Sequence, residues 1–118
     1  MSRILVVDDA AFVRMRYSKL LGDKGYEVVE AANGAEALER YKESRPDVVL
    51  LNITMPKMDG IVTLREIIKM DPDARVAMVT AMGQRTMVMN ALKAGARDFV
   101  VKPFDGPRVL DTVQKLIS

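Results

Sequence analysis

Polar side chains that can do chemistry follow four apolar runs of this chain, and each stands at the point where its run ends. The runs are "RILVV", "DVVLL", "RVAMV" and "RDFVV". The residues that follow or close them are Asp8–Asp9, Asn52, Thr80–Ala81 and Lys102–Pro103. Two acids, an amide, a hydroxyl and an ammonium therefore recur at equivalent places along the chain.

These groups suit a metal ion and an anion held together. Adjacent carboxylates such as Asp8 and Asp9 repel each other unless a cation relieves them, and an oxygen-only donor set suits a hard ion such as Mg²⁺. Lys102 offers a second positive charge to an anion, and Thr80 offers a hydroxyl donor. The set predicts a site for Mg²⁺ and a phosphoryl group, where positioning and charge stabilisation do most of the work.

Each residue also has a simpler interpretation when taken alone. Asp9 could cap the helix that follows it. Thr80 could be an ordinary residue at a strand end, and Lys102 a solvated surface charge. Their joint placement at successive strand ends favours the site over coincidence.

The elements that must position these residues alternate along the chain. Short apolar runs rich in β-branched residues predict strands at 3–8, 26–31, 47–52, 75–81 and 97–102. Helical periodicity predicts helices at 11–25, 33–45, 60–71, 83–96 and 106–118. The continuous apolar run 47–52 is typical of a strand covered on both faces. The alternation predicts an α/β doubly wound domain with a mostly parallel sheet, whose functional crevice lies outside the carboxyl ends of the strands.

Composition narrows the function further. The chain has 118 residues, with neither Cys nor His, which excludes thiolate and imidazole chemistry and leaves oxygen ligands for any metal. The net charge is +2, and the basic residues are scattered, so we expect no nucleic-acid partner. No apolar run approaches the roughly 18 residues of a membrane span. We expect one domain over 1–118, without an output module or membrane insertion, in the cytoplasm.

Four segments resemble the receiver domain of two-component response regulators, most of all the stand-alone chemotaxis regulators of the CheY type. They are "ILVVDDAAFVRM", "DVVLLNITMPKMDG", "VTAMG" and "GARDFVVKPF". Their order and spacing match the family over essentially the whole chain. The resemblance implies the flavodoxin-like, CheY-like fold, with five parallel strands in the order 2-1-3-4-5 and five helices.

The resemblance also implies a role for each matching residue. Asp8 and Asp9 match the acidic pair that binds Mg²⁺, and the backbone carbonyl of Thr54 matches a further ligand. The residues that contact the phosphoryl group or switch in response to it would be Thr80, Ala81, Phe99 and Lys102. The Lys102–Pro103 peptide bond would be cis.

Asn52 departs from the family pattern, which has Asp at this position as the phosphoryl acceptor. A carboxylate oxygen is a nucleophile that can form an acyl phosphate, whereas a neutral amide oxygen forms no comparable product. The amide removes one negative charge, so it should weaken Mg²⁺ binding, although its oxygen can still be a ligand. It should also stabilise the metal-free domain, since fewer like charges crowd together. We expect no enzymatic turnover, because the family's phosphoryl acceptance from a histidine kinase would be disabled.

Several interpretations of this amide stay open. One is a deliberate Asp-to-Asn substitution that holds the domain unphosphorylated, and another is a natural pseudo-receiver that acts by protein binding alone. A flavodoxin-like cofactor domain would share the fold, but the loop "DDAAF" is acidic and lacks glycine, unlike a phosphate-cradling loop. An aspartyl-phosphate hydrolase needs a nucleophilic Asp and usually a cap insertion.

A receiver without an output domain must act by binding other proteins. The resemblance implies a histidine kinase, docking near Phe12, Met15 and Arg16, and a downstream protein such as a flagellar-motor switch component. The fourth helix is predicted to bury Val88, Ala91 and Leu92. The candidate output surface is Met87, Met89, Asn90, Lys93 and Arg97. We expect a monomer that works by a two-state population shift.

Overall fold

A computed structural model of the chain describes residues 2–55, 59–81, 84–102 and 105–118. Five strands form one parallel sheet in the order β2-β1-β3-β4-β5. They are β1 (Arg3–Val7), β2 (Glu27–Ala31), β3 (Val48–Asn52), β4 (Val76–Thr80) and β5 (Asp98–Val101). Both the predicted fold class and the predicted strand order are confirmed.

Five helices connect and follow the strands. They are α1 (Ala11–Asp23), α2 (Gly34–Ser44), α3 (Gly60–Met70), α4 (Arg85–Lys93) and α5 (Gly106–Ile117). Three of them begin at a capping side chain that accepts a backbone N–H from the first turn: Asn33, Asp59 and Asp105. Such caps satisfy donors that have no partner within the helix. The predicted helices are right in type and number, with ends that differ by a few residues.

The helices cover both faces of the sheet, which explains the continuous apolar run in the third strand. Successive residues of a strand point to opposite faces, so Leu51 packs with the apolar side chains of α2, α3 and α4. Leu50 packs with those of α1 and α5. All five residues of β3 are buried. The two cores cover both faces of the middle strands, and those strands end at the polar residues identified above.

One prediction about a side chain is wrong, and one alternative interpretation is excluded. Leu92 was expected inside, but 36% of its surface is exposed, while Val88 and Ala91 are buried. Asp9 does not cap α1, because the residue before the helix is Ala10 and no side chain caps that end. Asp9 is instead exposed at the rim of the sheet. None of the helices in the described part of the chain is both long and apolar enough to cross a membrane.

Candidate functional site

Asp8 and Lys102 form an ion pair at the carboxyl edge of the sheet. Asp8 directly follows β1 and is only 2% exposed, and its Oδ2 lies 3.3 Å from Nζ of Lys102. The Oδ1 atom of Asp8 accepts the backbone N–H of Ala10 at 2.9 Å. The backbone N–H of Lys102 donates to the carbonyl of Thr80 at 2.6 Å. Residues that are 94 positions apart in sequence are therefore fixed together by the sheet.

Asn52 lies beside this pair, at the end of β3, and is 6% exposed. Its Nδ2 donates to the backbone carbonyl of Thr54 at 2.9 Å, and it lies 3.5 Å from Oδ1 of Asp9. Turning the amide over would point its oxygen at two other oxygens, so the hydrogen-bond network fixes the orientation. The amide nitrogen thus faces two of the oxygens that were predicted to hold the metal.

Gly60 determines how α3 approaches this edge. A Cβ on Gly60 would lie 2.2 Å from the carbonyl oxygen of Asn52 and 2.6 Å from Cα of Ile53. The backbone N–H of Gly60 donates to the carbonyl of Ile53 at 2.7 Å. Only a residue without a side chain permits this contact. The first residue of α3 is therefore bonded directly to the backbone that carries Asn52.

Thr80 closes the other side of the site and is held by Gln84. The Thr80 hydroxyl donates to Oε1 of Gln84 at 2.7 Å, and the backbone N–H of Ala81 donates to the same oxygen at 3.0 Å. The Nε2 of Gln84 donates to the hydroxyl of Thr54 at 2.9 Å. Thr80 is buried and Ala81 is exposed. The loop after β3 and the end of β4 are thereby linked through one side chain.

Two residues of this region were missed by the sequence prediction. One is Gln84. The sequence shows it only as a polar residue directly before a helical stripe, which does not indicate a role at the sheet edge. The other is Arg14, whose guanidinium donates to the backbone carbonyl of Asp8 at 2.6 Å and pairs with Glu30 at 3.0 Å. Arg14 stands on α1 beside the buried residues Tyr17 and Leu21, and its side chain is only 17% exposed. No sequence period predicts its reach to the end of β1.

The charges around the edge do not balance. Two carboxylates, Asp8 and Asp9, stand against one ammonium, Lys102, which leaves one net negative charge among these three groups. Burial raises the pKa of Tyr17 to about 12, and the carboxylate of Asp8 acts in the same direction. Tyr17 is therefore neutral at physiological pH and adds no charge. A cation is the group that would neutralise the remaining carboxylate.

The donors present fit Mg²⁺. The carboxylates of Asp8 and Asp9 and the carbonyl of Thr54 are oxygen ligands that this ion prefers. The amide oxygen of Asn52 would join them only if the amide turned over, since its nitrogen now faces Asp9 and Thr54. Across the described residues, no group of three or more acidic, His or Cys side chains gathers that could hold a metal, so carbonyl, amide and water oxygens would have to complete the coordination. When bound, the ion would supply charge neutralisation for an incoming anion.

The remaining predicted residues lie around this edge. Phe99 is half-buried on β5, beside a cavity of about 330 Å³ that Thr80, Gln84 and Val88 also line. The predicted cis bond involves Pro103, which falls outside the described residues. Within the candidate output surface Met87 is half-buried, whereas the other four residues are exposed: Met89, Asn90, Lys93 and Arg97.

Comparisons with known proteins show the family of this chain. The response regulator receiver domain matches residues 4–114. This chain belongs to that family. The receiver domain is 55% identical over 117 residues to the chemotaxis protein CheY of Bacillus subtilis, with 98% of each chain covered. It is 52% identical over 115 residues to CheY of Thermotoga maritima, covering 97% of this chain and 96% of that protein.

A solved structure of a related protein has the same fold as this chain. The CheX–CheY–BeF₃–Mg²⁺ complex of Borrelia burgdorferi contains a chain that is 38% identical to this receiver domain. The TM-score is 0.93, with 99% of this chain and 90% of that chain covered. The receiver domain is thus a CheY-like component of two-component signalling with chemotaxis proteins among its relatives. Receiver domains of the CheY family generally bind Mg²⁺ and work with histidine kinases.

Proposed function

We propose that this chain is a chemotaxis-type response regulator receiver in which Asn52 stands at the phosphoryl-acceptor position and keeps the domain unphosphorylated. The observation that carries the proposal is the placement of Asn52. It is the residue at the end of β3, buried between Asp9 and the Thr54 carbonyl, while the Asp8–Lys102 pair beside it is complete. On this proposal, the residues that would hold a phosphoryl group are in place, and only the nucleophile is missing.

The residues divide the work as follows. Asp8, Asp9 and the Thr54 carbonyl would hold Mg²⁺, with the Asn52 oxygen as a weaker ligand once the amide turns over. Lys102 and Thr80 contact the phosphoryl group, and the exposed N–H end of Ala81 adds a backbone donor once Gln84 releases it. A carboxylate at position 52 would attack phosphorus and displace the imidazole of a phosphohistidine. The amide of Asn52 lacks the negative charge for that attack.

The proposed partners follow from exposed side chains. On α1, Phe12 and Met15 are 64% and 61% exposed, and the guanidinium of Arg16 lies 5.9 Å from the centre of the Phe12 ring. This face would dock a histidine kinase. The output surface defined above would bind a downstream protein such as a flagellar-motor switch component, as the Borrelia burgdorferi relative binds CheX. These roles place the domain in the cytoplasm.

The test compares the chain with Asn52→Asp after incubation with acetyl phosphate and Mg²⁺. We expect no acid-labile phosphate on the native chain and one phosphoryl group on Asn52→Asp, measured by intact mass. Asn52→Ala is the matched control that removes the amide without adding a nucleophile, and it should stay unlabelled. A folded Asn52→Asp protein that takes no phosphate would overturn the proposal. If the native chain does take up label, peptide mapping shows whether the phosphate is on Thr54.

A second candidate is a natural pseudo-receiver that acts by binding alone. The observation that favours it is the Asn52 amide, whose nitrogen already satisfies the Thr54 carbonyl and approaches Asp9 without any metal. The same comparison, extended to the binding of beryllofluoride, separates the two candidates. Restoration of labelling by a single substitution indicates an otherwise intact acceptor site, whereas no labelling and no binding of beryllofluoride favours the pseudo-receiver.

A further inference from the structure

The side chain of Gln84 uses its whole hydrogen-bonding capacity on residues of three different segments. A carboxamide can accept two hydrogen bonds and donate two. The oxygen of Gln84 accepts from the Thr80 hydroxyl and the Ala81 N–H, at 2.7 and 3.0 Å. Its nitrogen donates to the Thr54 hydroxyl at 2.9 Å and lies 3.7 Å from Sδ of Met87. One side chain thus joins the end of β4, the loop after β3 and the first turn of α4.

The side chain of Gln84 does not cap the helix that it precedes. It occupies the capping position of α4, but its side chain accepts no N–H from the first turn of that helix. The capping side chains of α2, α3 and α5 all do. The carboxamide of Gln84 is turned toward the sheet edge instead. Its contribution therefore concerns the functional edge of the domain rather than the stability of α4.

The bond to Thr80 has a direct consequence for the hydroxyl. A hydroxyl has one proton to donate, and Thr80 gives it to Gln84 at 2.7 Å, with only a longer contact of 3.2 Å to the Ala81 carbonyl. Thr80 is 2% exposed, so water does not compete for this proton. Donation to a phosphoryl oxygen would require the bond to Gln84 to break.

We propose that Gln84 is a positioning residue that holds the Thr80 hydroxyl in its resting orientation and couples its release to the start of α4. This inference rests on the proposed function, in which Thr80 turns toward a bound phosphoryl group. When Thr80 turns away, Gln84 loses its shortest hydrogen bond. Its hydrogen bonds to Thr54 and Met87 then change as well. The cavity of about 330 Å³ that Gln84 shares with Val88 and Phe99 gives the freed side chains room to move.

The first test uses the native chain and requires no phosphoryl chemistry. Three-bond NMR couplings report the χ1 rotamer of Thr80. We expect a single rotamer in the native chain and averaging between rotamers in Gln84→Ala. Thr54→Val, which removes the hydroxyl that Gln84 holds but keeps the Thr80–Gln84 bond, should retain the single rotamer. An unchanged Thr80 rotamer in folded Gln84→Ala overturns the inference.

The second test measures the affinity of beryllofluoride with Mg²⁺ in the Asn52→Asp background. Releasing Thr80 from one competing hydrogen bond should tighten binding by about threefold to tenfold in Gln84→Ala. Thr54→Val should give a smaller change in the same direction. Equal or weaker binding in Gln84→Ala contradicts the inference, since Gln84 would then be neutral or support the bound state. If Asn52→Asp binds no beryllofluoride, the proposed function fails, and the Thr80 rotamer still decides the role of Gln84.

Discussion

The side chain of Asn52 has a donor end and an acceptor end, and the structure turns the donor end toward the oxygens of the site. The nitrogen lies 2.9 Å from the Thr54 carbonyl and 3.5 Å from Asp9. It supplies partial positive charge at a place where a receiver domain has a cation to offset its acidic residues. Under the proposed function, the amide would do two things at once: it would remove the nucleophile, and it would make the edge less dependent on metal.

Asn52→Asp should reverse the second effect. Without metal, the Thr54 carbonyl would lose its donor, and a third carboxylate would stand beside Asp9. We expect the free energy of unfolding to fall by about 1 to 3 kcal/mol in EDTA, measured by urea denaturation. Millimolar Mg²⁺ should restore much of this loss in Asn52→Asp, because a ligand of the native state stabilises it, and should change the native chain much less.

The control for charge crowding is the double variant Asp9→Asn with Asn52→Asp. It keeps the new carboxylate at position 52 and removes its neighbour, so it should recover part of the stability in EDTA. A variant Asn52→Asp that is as stable as the native chain without metal would contradict the stabilising role of the amide.

The sequence predicts where Asn52 lies in the fold, but it does not predict the orientation of its side-chain amide. That Asn52 ends a strand follows from the apolar run before it, and that it meets Asp8 and Lys102 follows from parallel strands ending at one edge. The direction of its nitrogen depends on where the Thr54 carbonyl points, and a sequence pattern does not give the position of a single backbone carbonyl. Gln84 was missed for the same reason, since its importance arises from four contacts rather than from its place in a pattern.

At the scale of elements, the contact between α3 and β3 fixes the position of the end of β3, where Asn52 lies. Gly60→Ala would place a methyl group 2.2 Å from the Asn52 carbonyl oxygen, and the atoms in the way are backbone. We expect a loss of roughly 2 kcal/mol or more in the free energy of unfolding, measured by urea denaturation. In the Asn52→Asp background the same change should also slow labelling by acetyl phosphate, because the strand end must shift.

Gly22→Ala is the matched control. A Cβ on Gly22 would meet nothing within 4 Å, and this residue lies within α1, where alanine is the better helix former. It should therefore leave stability unchanged or raise it by about 0.5 kcal/mol. A Gly60→Ala variant as stable as Gly22→Ala would show that the close approach of α3 is not a constraint.

The sequence predicts the ends of elements and the exact buried face of a helix less well than it predicts the elements themselves. Helical spacing places both Ala91 and Leu92 on the same side as Val88, but the structure buries only Val88 and Ala91. The reason is tertiary: α4 lies beside β5, which is an edge strand of the sheet. Leu92 falls on the rim, next to the exposed Met89 of the output surface. A spacing rule cannot show how wide the covered stripe is.

At the scale of the whole molecule, the two open edges of the sheet decide whether copies can pair strand to strand. The edge strand β2 carries Glu27 and Glu30, each paired with an arginine, Arg3 or Arg14. The other edge, β5, has four residues and carries Asp98, whose carboxylate lies 3.8 Å from Arg108 and 3.3 Å from Lys115. Charged side chains on short edge strands oppose the addition of another strand.

We therefore expect the domain to remain a monomer in solution, and the molecular size tests this directly. The Cα radius of gyration is 12.5 Å, and compact chains of this length have radii of about 13 to 14 Å, against about 17 Å or more for a dimer. Small-angle scattering over a concentration series should give the smaller value throughout. A radius that rises with concentration would show self-association. Glu27→Thr, which removes one edge charge, then tests the cause: if the charged edge keeps the chains apart, this variant should associate more readily than the native chain.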